Sequence, residues 1–285
     1  MYWWWLAVAC YGVTAYAAAD VWQAANVIEV PRGLFRRGLR REWSNLELRP
    51  QAHDDGFEPY RDNGGTVIAI AGSDYCIIAA DSRLSSGYTI LSRDISRVHE
   101  IGQHKATFLV TAGCWSDTQG LLKLLDYLAE EYEWSQGRPL GTLAFARLLA
   151  TNLYYRRGFP FYTYNVVGGL DDQGNGAVFG YDAIGSFERI KVACAGAGRD
   201  LVQSFLDKMD SSEQTDQAGM VNEEQEESEG GKLPVVTAGC EEALSMVKKA
   251  FLSASERAIE LGDSAELVVV TRHGVTRERL ELAGH

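Results

Sequence analysis

Basic charge is scarce in this chain of 285 residues: 27 Lys and Arg stand against 39 Asp and Glu, for a net charge of −12. Such a balance offers no footprint for nucleic acid and is repelled by anionic lipid surfaces, so neither is expected as a partner. Cysteine is also sparse. The five are Cys10, Cys76, Cys114, Cys194 and Cys240, an odd count with no close pair and no CxxC. That excludes a disulfide framework and reads as reduced thiols used as small apolar residues. The five histidines (His53, His99, His104, His273 and His285) show no zinc-type spacing. No metal and no cofactor is expected.

The opening stretch MYWWWLAVACYGVTAYAAAD is apolar and ends in small residues, like a secretory leader with an A-Y-A or A-A-A cleavage site. It lacks the positively charged start of such leaders. It is short for a membrane helix and is broken by Gly12. It reads as a removable leader or as the product of a start codon placed too far upstream, with secretion or membrane anchoring as the alternative.

What is present is enough apolar material for a core: 46% of residues are hydrophobic and 23% charged. This fits one large domain or two small ones. Residues 21–62 show no sustained apolar period and carry basic RRGLRR (36–41) and acidic HDDGFEPYRD (53–62). They read as an extension, and order begins at Thr66. TVIAIAG (66–72) and YCIIAADSR (75–83), with Gly72-Ser73-Asp74 as the turn between them, form a hairpin signal. Both strands are apolar on both faces, which places the hairpin inside a sandwich. KATFLVTAG (105–113) is another buried strand. Helices follow over 116–134, with Ser116 or Asp117 as N-cap, and over 140–157. Strands return over 162–190, with DDQGNG as a turn. Residues 199–209 and 241–261 read as helical. AELVVVTRHGVTRERLEL (265–282) closes with a hairpin turning at His273-Gly274. This order predicts an α+β chain in which two sheets pack face to face with helices outside. Residues 211–231 hold seven acids, no Lys or Arg and almost nothing apolar, and read as a solvated insertion.

Several long motifs resemble the beta subunits of the eukaryotic 20S proteasome, in particular the non-catalytic beta-6 (type-1) branch. They are FEPYRDNGGTVIAIAG (57–72), AADSRLSSGYTILSRD (79–94), YNVVGGLDDQGNGAVFGYDAIGSFER (164–189), and SASER with a later GD between 253 and 263. The resemblance implies a four-layer αββα sandwich, the N-terminal-nucleophile hydrolase fold. It implies a domain over 57–285 carrying the acidic insertion, preceded by a propeptide-like extension over 1–56 that is poorly ordered or removed. Catalytic members use a threonine freed at a new N-terminus, whose own amine serves as base. An aspartate and a lysine accompany it.

The Gly65-Thr66 bond therefore raises the question whether Thr66 is such a nucleophile. In catalytic members the threonine precedes the ADSR aspartate by sixteen residues. Counting back from Asp81 reaches Gly65, not Thr66. A one-residue offset on a strand turns a side chain to the other face, unless a bulge absorbs it. The lysine position, sixteen residues after Asp81, holds Arg97, and the nearest lysine is Lys105. Arginine stays charged and is larger and planar, so it does not substitute for a tunable amine. Arg97 and Asp81 are expected to pair as a relic of the site. CAGAG (194–198) has no serine where catalytic members carry Gly-Ser-Gly. The positions of a further Asp and Ser fall on Ala258 and Leu261, with Asp263 and Ser264 out of register.

The expectation is a chain with no catalytic residues, the vestigial positions being Gly65, Asp81 and Arg97; an active hydrolase using Thr66 is the alternative. The resemblance further implies a structural role in the core beta ring, supporting ubiquitin-dependent protein degradation by neighbouring threonine-protease subunits in cytoplasm and nucleus. Its implied partners are beta-5 and beta-7 neighbours, the alpha ring and the opposite beta ring. YTILSRD (88–94) and GCWSDTQG (113–120) lie where family members present loops to neighbours.

Overall fold

The computed structural model describes residues 60–102, 106–215 and 234–282, with the backbone alone over 208–215. The extension over 1–56, its boundary at 57, Lys105 and most of the acidic insertion lie outside the described residues.

Two five-stranded antiparallel sheets face each other. The first has the order β10-β1-β2-β11-β12, built from Val192–Gly196, Thr66–Ala71, Tyr75–Asp81, Ser264–Thr271 and Gly274–Glu281. The second has the order β5-β6-β7-β8-β9, built from Val98–Ile101, Thr107–Gly113, Thr163–Leu170, Gly176–Tyr181 and Phe187–Ile190. A separate ribbon pairs β3 (Leu84–Ser86) with β4 (Thr89–Ser92). Helices α1 (Trp115–Gln136) and α2 (Thr142–Tyr155) cover the second sheet, and α3 (Arg199–Thr215) and α4 (Cys240–Ser255) cover the first.

The alternation of β1 assigns its faces. Val67, Ala69 and Ala71 join Phe108, Val110, Val166 and Val178 between the sheets. Ile68 and Ile70 join Val202, Leu206, Val247 and Phe251 under α3 and α4. Every residue of β1 and β2 is buried, because each strand is covered by a sheet on one side and helices on the other. The result is the expected αββα sandwich. Cys76 lies wholly inside it, and burial pushes its thiol up to about 12.

The structure corrects several local expectations. Helix α1 starts at Trp115 with Cys114 as N-cap, not Ser116 or Asp117. Asp117 instead accepts a hydrogen bond from Tyr162 N at 2.9 Å. Helix α4 ends at Ser255 rather than 261; beyond it the chain runs on in tight turns, with Leu261 N bonded to Ala258 O at 3.2 Å and the Ile259 carbonyl accepting from Arg83 Nη1 at 2.8 Å. Helix α3 runs on through Thr215 instead of stopping at 209. Strands β3, β4, β5 and β10 carried no expectation. Of the two segments read as neighbour-facing loops, 89–92 is strand β4 and 115–120 is the start of α1.

Candidate functional site

Gly65, Thr66, Asp81 and Arg97 converge at the end of β1 and β2. No bulge intervenes: β1 pairs in unbroken register with β2 from Val67↔Ala80 and with β10 from Thr66↔Gly196. Thr66 therefore keeps the strand alternation and sits on the face of Ile68 and Ile70, with its hydroxyl accepting a hydrogen bond from Gly198 N at 2.9 Å. Its backbone N–H donates to Asp81 Oδ1 at 2.8 Å.

Gly65 has φ +96°, in the region that favours glycine. A β-carbon built there would lie 2.6 Å from Arg97 Nε, so the guanidinium fills the space a side chain at position 65 requires. Arg97 is buried, as is its partner Asp81, and its Nε stands 3.4 Å from Asp81 Oδ1. Its Nη2 donates to the carbonyls of Arg83 at 2.7 Å and Asn63 at 3.1 Å. Burial raises the Asp81 carboxyl to about 6, and Arg97 opposes that rise. Burial also pulls the Arg97 guanidinium below its ordinary value, against the Asp81 charge. Pairing and hydrogen bonding are what make two buried charges tolerable here.

The lead-in residues are threaded between the two sheets' ends. Asn63 N donates to Gly113 O at 3.3 Å, Gly113 N to Gly64 O at 3.0 Å, and Ser85 N to Asn63 O at 3.4 Å. The Asn63 carboxamide donates to Ser85 O at 3.0 Å and accepts from Trp115 N, the first residue of α1, at 2.9 Å. It thereby caps a helix whose own N-cap residue, Cys114, makes no side-chain capping bond. Tyr60 adds a hydrogen bond to Pro160 O at 2.6 Å and stacks on Phe159. Sequence reasoning missed Asn63; the Asp-Asn-Gly-Gly run, a turn signal directly before a strand, was the available hint.

Of the other expected positions, the 194–198 run meets this cluster through its backbone. Ala197 N and Gly198 N are spent on Gly65 O and Thr66 Oγ1. Asp263 turns to Arg83 and Arg93, which hold its carboxyl below the ordinary range against the effect of burial, and Ser264 bonds Ser82. Ala258 and Leu261 bring no polar group. Among the described residues no three His, Cys, Asp or Glu side chains converge as metal ligands.

Comparison with known proteins gives the same frame. The family described as "Proteasome subunit" matches residues 61–221. The chain is 43% identical to a Dictyostelium discoideum protein named proteasome subunit beta type-1, over 79% of this chain and 89% of the relative. An Arabidopsis thaliana protein of the same name is 39% identical over 79% of this chain and 96% of its own length. A Saccharomyces cerevisiae protein named proteasome subunit beta type-6 is 34% identical, over 85% and 95% respectively. The chain belongs to the proteasome subunit family, as a beta subunit of the 20S core and so part of a protease complex.

Proposed function

We propose that this beta subunit is non-catalytic and serves as a structural member of the ring. One observation carries the reading: Arg97 occupies the volume that a nucleophile at position 65 needs. An N-terminal threonine mechanism requires a hydroxyl, a free amine beside it and a positioned proton acceptor. Position 65 offers no hydroxyl. Thr66 has one, but on the far face of the strand, committed to Gly198 N. Arg97 is a permanent cation rather than a tunable amine.

In this reading the subunit stands between beta-5 and beta-7 neighbours, touches the alpha ring and the opposite beta ring, and works in cytoplasm and nucleus. Gly65, Asp81 and Arg97 are then a structural remnant that clamps the lead-in segment. Intact mass of the mature chain, taken from the native particle, tests this. A start at or before Asp62 is expected. A start at Thr66 overturns it and restores the threonine-hydrolase alternative.

A further inference from the structure

The free edges of the two sheets are guarded unequally. An exposed strand edge is a template for another chain, and soluble proteins blunt it with charge or proline. Edge strand β12 carries Arg277, Glu278, Arg279 and Glu281; β9 carries Glu188 and Arg189; β5 carries Glu100. Strand β10 reads Val-Ala-Cys-Ala-Gly and carries nothing of the kind.

The ladder shows which of its backbone groups face out. Ala71 N donates to Lys191 O at 2.8 Å and Ala197 N to Gly65 O at 2.9 Å. By the antiparallel alternation, odd-numbered residues of β10 turn their N–H and C=O toward β1, and Val192, Cys194 and Gly196 turn theirs away. That outer side opens on a cleft of about 630 Å³ between β10, β8–β9 and the first turn of α3. Val166, Ile190, Ala193 and Ala195, from the layer between the sheets, give it an apolar lining. Its charged lining is Asp182, Glu188 and Asp200 against Arg199.

We propose that an extended, basic segment of an adjacent subunit docks here, adding a sixth strand to the first sheet along β10. Strand addition supplies main-chain hydrogen bonds, while side-chain pockets and charge choose the partner. Five residues of β10 span about 17 Å, room for a short strand. The three carboxylates select Lys or Arg at its margins. The inference rests on the chain being an assembled subunit, and not on its being inert.

A structure of the native particle at side-chain resolution tests it. The expected result is a neighbour's strand bonded to Val192, Cys194 and Gly196, with a Lys or Arg within about 4 Å of Asp182, Glu188 or Asp200. A bare β10, a strand on β9 instead, or a neutral or acidic segment overturns it, and each leaves the non-catalytic reading untouched. Independently, the triple variant Asp182→Asn, Glu188→Gln, Asp200→Asn should enter particles several-fold less well than wild type in competition. Equal incorporation overturns the basic character of the partner.

Discussion

The guanidinium of Arg97 and the missing side chain of Gly65 occupy one volume. Gly65→Thr must therefore displace Arg97 and also place a β-branched residue at positive φ. Overpacking of this kind costs roughly 1–3 kcal/mol. The variant should melt lower and gain no peptidase activity. Combining it with Arg97→Lys should cost less than the sum of the two single changes, because the same clash is relieved. Thermal unfolding of the three variants measures the coupling, and simple additivity would remove the steric account.

Asn63→Ala deletes the buried carboxamide that bonds Ser85 O and Trp115 N. The loss leaves a helix N–H and a strand carbonyl unpaired, at about 1–3 kcal/mol. Asn63→Asp keeps the acceptor toward Trp115 and should lose less. Chemical denaturation of both variants checks the order.

Asp263 has φ +64° and holds the buried Arg83 through Nε at 2.8 Å. Asp263→Ala strands that guanidinium without its counter-ion, and breaking a buried pair from one side costs about 3–5 kcal/mol. Asp263→Asn retains the bonding geometry without the charge and should fall between. The melting temperatures of the two variants give the comparison.

His99 is held neutral. Burial, with Arg97 adding to it, lowers its pKa from 6.5 to about 4. A folded pKa below the unfolded one contributes stability that is complete above pH 6.5 and is lost as the pH falls toward 4. Asp81 works in the opposite sense: its raised pKa favours the fold below about 4 and loses that contribution as the pH rises through about 6. His99→Gln should flatten the acid limb of a stability profile between pH 6.5 and 4. Asp81→Asn should steepen it. An unchanged slope in His99→Gln would show that the imidazole is not the sensitive group.

The layered core was legible because β1 and β2 are β-branched and apolar on both faces, and only a sheet buried on both sides suits such strands. Gly65, Asp81 and Arg97 could be placed by counting along one hairpin, since β1 and β2 pair without a slip. The ribbon β3–β4 could not, because its residues alternate weakly and its burial comes from elsewhere. Asn63 was hidden for a related reason. Its importance lies in partners 22 and 52 residues away, and no local periodicity encodes them. The end of α4 was misplaced because the residues after Ser255 continue in tight turns, Arg257 N to Ala254 O and Leu261 N to Ala258 O, that no Gly or Pro marks.

The cap on α1 has a consequence for how the domain comes together. Most helices finish their first turn with a residue next door. Here the partner of Trp115 N comes from Asn63, with strands β1 to β6 lying between them in the chain. The beginning of the longest helix among the described residues is thus completed by a non-local contact, whose formation carries a loop-closure entropy cost. The lead-in residues and the helix start are the two halves of a latch, 52 residues apart in the chain.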